Sequence, residues 1–203
     1  MNMQSTVFVV DDDAAVRDSL ELLFDSTGMA VESFASASRF IEYYDPARPG
    51  CLVLDIRMPD MDGMELQKAL KDRQISLPII FITGHGEVSL SVKALKEGAY
   101  DFIEKPFEDD VLLESIQEAM ILDTKNRELA DIKDDVMTRC SRLTPREKEV
   151  MHHISEGKSN KEIAVILTLS HRTVEVHRAR LMEKMEVNSL AELVPMALMY
   201  KEN

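Results

Sequence analysis

The chain has 203 residues and a net charge of -13, from 37 acidic and 24 basic residues. That length suits one large domain or two small ones, and 45% hydrophobic against 30% charged residues excludes fibrous and low-complexity classes. No apolar run approaches the roughly 20 residues needed to cross a bilayer, and MNMQSTVFVV lacks a basic stretch before an apolar core, so no secretory signal is expected.

Strand and helix patterns alternate through the first half. Apolar or β-branched runs occur at Thr6–Val10, Ala30–Phe34, Cys51–Leu54, Ile79–Ile82 and Tyr100–Ile103. Helical spacing lies between them: Val16, Leu20, Leu23 and Phe24; Phe40, Ile41 and Tyr44; Met64, Leu66 and Leu70; Val88, Val92 and Leu95. This alternation predicts a parallel sheet with right-handed crossovers. Five strands in some 120 residues fit an α/β flavodoxin-like (βα)5 domain of strand order 2-1-3-4-5, with a crevice between strands one and three. Gly28 and Gly98 sit where helices should stop.

From Asp109 a helical pattern runs without Gly or Pro to Pro145. Leu122, Leu129 and Val136, spaced by seven, suit a long helix or short coiled coil, while polar DTKNRE suits a mobile connection. Beyond it lie four helical segments, Glu147–Ser155, Asn160–Leu167, Arg172–Met185 and Leu190–Tyr200. Thr144-Pro145-Arg146-Glu147 has the form of a capping box with proline at the first helical position. Residues 1–123 hold 24 acids and 10 bases, whereas residues 139–184 hold 10 bases, 6 acids and four of the five histidines. The expected division is therefore 1–122, a helical linker over 123–139, and an all-α domain over 140–203. Cys51 and Cys140 have no metal-ligand neighbours and read as reduced thiols. His152 and His153 read as ordinary helix residues.

Asp11, Asp12 and Asp13 follow the first strand, and Asp55 ends the third in LVLDIRMPDMDG. These strand ends flank the crevice of a doubly wound sheet. Converging carboxylates repel, and a hard divalent cation with oxygen ligands, Mg²⁺, relieves that repulsion. Thr83 follows the fourth strand and Lys105 the fifth, in a Lys-Pro pair that is a candidate cis peptide. A carboxylate nucleophile, a cation site, a hydroxyl and an ammonium are the parts needed to accept and hold a phosphoryl group.

The motifs VVDDD, LVLDIRMPDMDG, FITGHG and DFIEKPFE resemble the receiver domain of bacterial two-component response regulators. The resemblance implies that Asp55 is the phosphoacceptor and that Asp11, Asp12, Asp55 and the backbone carbonyl of Arg57 hold Mg²⁺. It also implies that Thr83 and Lys105 bind phosphoryl oxygens and that Thr83 and Phe102 form a switch pair. Tyr100, two residues before Phe102, is expected on the same face. Asp13 has no implied role beyond capping a helix, and Arg57 and His85 resemble positions that tune phosphate lifetime.

Lys158–Met185 reads as two short helices joined by a three-residue turn, the second one basic, which is a helix-turn-helix. LTPREKEVMHHISEGKSNKEIA and LSHRTVEVHRARLMEKM resemble the LuxR-type domain of NarL/FixJ regulators, and FixJ-type regulators are the nearest in pattern. By that resemblance Glu175, Val176 and Ala179 face bases, with Arg172 and Arg178 nearby. Ser159, Asn160, Lys161, Thr173, His177, Arg180 and Lys184 suit phosphates. The implied protein is a cytoplasmic transcription regulator, not a conventional enzyme. Its implied partners are a sensor histidine kinase, promoter DNA, RNA polymerase and, when phosphorylated, a second copy of itself. The rival readings are a phosphohydrolase, which usually needs an acid where Arg57 stands, a regulator with an inert receiver, and phosphorylation-dependent control of a partner protein without DNA binding.

Overall fold

The computed structural model describes residues 4–84 and 88–201. The chain divides into two compact units, Met1–Arg127 and Glu128–Asn203.

In the first unit, β1 (Thr6–Val10), β2 (Ala30–Phe34), β3 (Gly50–Asp55), β4 (Ile79–Thr83) and β5 (Asp101–Glu104) form one parallel sheet. Its order is β2-β1-β3-β4-β5, as the alternation predicted. Helices α1 (Ala14–Ser26), α2 (Ala37–Tyr43), α3 (Gly63–Asp72) and α4 (Val88–Lys96) connect the strands. Side chains of β1, β3 and β4 are buried on both faces, which is why these strands read as unbroken apolar runs. Phe8, Val10, Leu52, Leu54 and Phe81 pack with Phe40, Leu66 and Leu70 on one face. Val7, Val9, Cys51, Val53, Ile80 and Ile82 pack with Phe24, Leu112 and Ile116 on the other. Burial pushes the Cys51 thiol well above its ordinary range, and both cysteines are free and buried.

Helix α5 (Asp109–Ser141) covers the stretch whose pattern suited either a helix or a mobile connection. Within the first unit, Asp123 Oδ2 accepts from the Gly50 amide at 2.9 Å and from Arg127 Nε at 2.7 Å. Arg127 also donates to the carbonyls of Pro46 and Arg48. These bonds fix the entrance of β3. Gly50 itself allows the close approach there, because a Cβ would lie 1.9 Å from the Thr6 carbonyl oxygen.

The second unit packs the end of α5 with α6 (Pro145–Ser155), α7 (Asn160–Ile166), α8 (His171–Lys184) and α9 (Leu190–Lys201). Val136, Val150, Ile163, Val174, Leu181 and Leu193 form its core. Thr144 and Glu147 make the anticipated capping box, each side chain bonded to the other's amide. Glu147 is 2% exposed and its Oε2 also accepts from Lys184 Nζ at 2.7 Å. Burial would raise the Glu147 pKa, but the bonds from Lys184 and Thr144 outweigh it and hold the group below its ordinary value. The Lys184→Met variant should therefore destabilise this unit by about 1–3 kcal/mol, the cost of a buried acceptor losing its partner. Because a depressed carboxylate contributes stability above its unfolded pKa, the deficit should be full near neutrality. It should shrink as pH falls through the folded pKa of Glu147, as read by denaturant unfolding of wild type and variant across pH.

Candidate acidic site and nucleic-acid interface

Register decides what meets at the carboxyl edge of the sheet. Val10 pairs with Leu54, so Asp11 and Asp55 leave β1 and β3 level with each other. Side chains alternate along a strand, and Val7, Val9, Val53 and Ile103 share one face. Asp11, Asp55 and Lys105 continue that parity. Lys105 Nζ lies 2.9 Å from Asp11 Oδ2 and 3.0 Å from Asp55 Oδ1. Asp11 is 2% exposed and Asp55 9%. The Lys105–Pro106 bond is cis, as the dipeptide suggested.

Each acid is also tied to backbone. Asp11 Oδ1 accepts from the Asp13 amide at 2.9 Å, and Asp55 Oδ2 from the Arg57 amide at 2.8 Å. Burial raises the Asp55 pKa above the ordinary carboxylate value, and Asp11 adds to the rise, while Lys105 and the Arg57 amide oppose it. Burial alone would lower Lys105, yet its bonds to the two acids win and raise it. Burial thus outweighs the positive charge that Lys105 brings to Asp55. Asp12 is exposed and stands outside the bonded group. Asp13 caps α1 by accepting from the Ala15 amide, so capping is the role its geometry exhibits. Oxygen donors alone, a buried carboxylate of raised pKa and an exposed acid beside them suit a hard cation such as Mg²⁺. Receiver domains typically bind Mg²⁺ at such a pocket.

Thr83 is 2% exposed at the end of β4. Phe102 pairs with Phe81, two residues before Thr83, and their ring centroids are 6.4 Å apart. Thr83 and Phe102 therefore share a sheet face opposite in parity to Lys105. The expectation that Tyr100 shares it fails. Tyr100 precedes β5, packs with the opposite core cluster and donates to Glu118 of α5 at 2.8 Å. Period-two counting misplaced it because the strand begins only at Asp101. His85 lies outside the described residues, and the Arg57 side chain is exposed.

Two supports escaped the sequence reading. Arg17 donates to the backbone carbonyls of Asp11 and Asp12 at 2.7 and 3.0 Å, fixing the loop that carries both acids. Backbone acceptors leave no trace in side-chain patterning. Gly63 opens α3 where a Cβ would lie 2.5 Å from the Asp55 carbonyl oxygen. The Asp-Gly pair was visible, but the close approach it serves was not.

In the second unit, α7 and α8 are joined by the expected short turn, with Ser159 and Ser170 as N-caps. Along α8, Val174 and Leu181 are buried, while Arg172, Glu175, Val176, Ala179 and Arg180 are exposed on its outer side. Lys161 is exposed at the start of α7. Thr173 meets Ser170 at 2.7 Å between hydroxyls. Arg178 donates to Asn160 at 2.9 Å, so these two candidates hold each other. His177 is half-buried, its Nδ1 without a partner. Lys184 is committed to the buried carboxylate of Glu147.

Known proteins agree with this architecture. Residues 7–117 match the response regulator receiver domain, and residues 141–197 match the bacterial regulatory proteins of the luxR family. The transcriptional regulatory protein FixJ of Bradyrhizobium diazoefficiens is 45% identical over 98% of this chain and 97% of its own. FixJ of Rhizobium meliloti is 46% identical over 95% of each chain. The response regulator StyR superposes with a TM-score of 0.84 at 44% identity, over 97% of this chain and 100% of that one. The chain therefore belongs to the FixJ-like response regulators of the NarL/FixJ family, transcription regulators controlled by phosphorylation.

Proposed function

We propose that Asp55 is the residue phosphorylated. Its carboxylate oxygen attacks the phosphorus of a phosphohistidine on a partner kinase. The P–N bond breaks, and the departing imidazole takes up a proton. The observation that carries this reading is Lys105 bridging Asp11 and Asp55 at 2.9 and 3.0 Å. Mg²⁺ would be held by Asp11, Asp12, Asp55 and the Arg57 carbonyl, and when bound it supplies positive charge to the acids and the incoming phosphoryl oxygens. Lys105 and Thr83 receive those oxygens once Asp55 is an acyl phosphate. Thr83 turning inward leaves room that Phe102 fills, on the face the two residues share.

That movement alters the surface built from α4, β5 and α5. Val92, Leu95 and Val111 stand 44–49% exposed on α4 and α5, which favours an apolar contact with a second copy. Dimerisation would set two α8 helices on adjacent half-sites in promoter DNA. Glu175, Val176 and Ala179 would face bases, with Arg172 and Arg178 beside them. Ser159, Asn160, Lys161, Thr173, His177 and Arg180 would meet phosphates, whereas Lys184 serves the fold through Glu147. RNA polymerase is the further partner, and the setting is the cytoplasm, with no helix among the described residues long and apolar enough to cross a membrane. The position two beyond Asp55 carries Arg57, not the second acid of a phosphohydrolase, so turnover is limited to slow self-dephosphorylation.

Acetyl phosphate with Mg²⁺ should add one phosphoryl mass to the wild type and none to Asp55→Asn, and DNA footprinting should strengthen only for the wild type. Phosphate appearing on the variant would remove the reading. Thr83→Ala should still gain the mass yet respond weakly in the footprint. Arg180→Ala should weaken binding to every sequence and lower the salt slope by about one, while Glu175→Ala should relax base preference.

The raised Asp55 pKa gives a further expectation in metal-free buffer. The folded state retains a proton that the unfolded state releases above the ordinary value of 3.8. Stability attributable to this group falls as pH rises from there through the folded pKa. The unfolding free energy of Asp55→Asn minus that of wild type should grow over this interval, and added Mg²⁺ should narrow the gap by stabilising the wild type. A gap independent of pH and Mg²⁺ would contradict both the raised Asp55 pKa and a cation site beside it.

A further inference from the structure

Helix α6 carries a cluster that phosphotransfer and DNA recognition leave unused. His152, His153 and Glu156 each offer one ligand atom, and among the described residues these three atoms lie within 4.8 Å of one another. His152 Nε2 is 3.4 Å from Glu156 Oε1, and His153 Nδ1 is 3.2 Å from Glu156 Oε2. The two rings are tilted by 53° with centroids 5.2 Å apart, so neither covers the other. We propose that His152, His153 and Glu156 form a binding site for a borderline divalent transition ion of the Zn²⁺ class, separate from the acidic pocket of the receiver.

The donor types point to the class of ion. Zn²⁺ binds imidazole nitrogen and carboxylate oxygen at about 2.0–2.2 Å, and tetrahedral angles then separate neighbouring ligand atoms by roughly 3.3 Å. The observed nitrogen–oxygen separations, 3.4 Å to Glu156 Oε1 and 3.2 Å to Glu156 Oε2, each lie near that edge, one ring to each carboxylate oxygen. Octahedral Mg²⁺ prefers oxygen throughout, so a set with two imidazole nitrogens disfavours it. Imidazole with carboxylate is the donor mixture that suits Zn²⁺, Ni²⁺ and Cu²⁺.

Backbone places the three together. His152 and Glu156 are one helical turn apart, and His153 and Glu156 are three residues apart, the two spacings that put side chains on a common face. Glu156 is the C-cap residue, whose amide bonds to the His152 carbonyl, and the Lys158 amide bonds to that of His153. The C-terminal end of a helix carries partial negative charge, which favours a cation there. Three protein ligands leave a fourth position for water or a further ligand. Read in sequence alone, these histidines look ordinary; Glu156 supplies the carboxylate that both rings meet, one at each oxygen.

The test is calorimetric titration of the tag-free full-length chain with Zn²⁺, with Mg²⁺ in excess to saturate the receiver pocket. One Zn²⁺ per chain should bind to the wild type. His152→Ala and Glu156→Gln should each weaken that binding at least as much as loss of an outer-shell partner, roughly 10–100-fold. Both residues are exposed, so the variants should keep the wild-type circular dichroism. Co²⁺ in place of Zn²⁺ should give the visible absorption of a tetrahedral ion, lost in the same variants. Absence of saturable Zn²⁺ uptake, or uptake equal in wild type and both variants, would overturn the site. Neither result bears on phosphorylation of Asp55, which is read separately by mass.

Discussion

One ammonium held between two buried carboxylates organises the acidic site. Lys105 bonds to Asp11 and Asp55 at once, from the ends of three different strands. Two negative charges against one positive leave the group under-neutralised in a place where water cannot screen it fully. Burial adds to that imbalance at Asp55, raising its pKa despite its lysine partner. A site in this condition is receptive to cations and to groups that bring a cation with them. The strand register, the Arg17 bonds to the Asp11 and Asp12 carbonyls and the bare Gly63 contact all hold that imbalance in place.

The sheet was legible because its central strands are buried on both faces and so contain little but aliphatic residues. Acidic residues at the tips of β1 and β3 broke that pattern at one edge, and sheet order brought them together. What resisted reading was whatever depended on backbone acceptors or distant partners. The Arg17 contacts, the Asp123 bond to the Gly50 amide and the Arg127 bonds to the Pro46 and Arg48 carbonyls have no periodic signature. Tyr100 was placed on the wrong face because a one-residue error in a strand's start changes which side chains can be counted by alternation.

In the helical unit, caps and apolar spacing located the helices well, since both signals are local. Function along α8 was harder to assign, because a basic residue reads the same whether it faces a phosphate or a buried acid. Lys184 illustrates this. It sits on the basic helix in the expected row, yet its ammonium neutralises Glu147 inside the capping box of α6. Arg178 and Asn160 likewise hold each other across α7 and α8. The cations whose side chains remain exposed on that surface are fewer than composition suggested, and Arg172, Arg180 and Lys161 are among them.

Phosphorylation of Asp55 would change partners more than it changes shape. Before transfer, Lys105 divides its hydrogen bonds between two carboxylates. Afterwards one of those carboxylates is an acyl phosphate carrying roughly -1.5 to -2 charges spread over three oxygens. Lys105 alone cannot balance that charge, so further donors must turn toward the new oxygens. Thr83 offers a hydroxyl at the end of β4, and its sheet face is the one that carries Phe102 rather than Lys105. On this proposal, a charge change on one face of the sheet would be converted into a packing change on the other. This conversion requires Thr83 and Phe102 to differ in parity from Asp11, Asp55 and Lys105, and the register of β3, β4 and β5 supplies that difference.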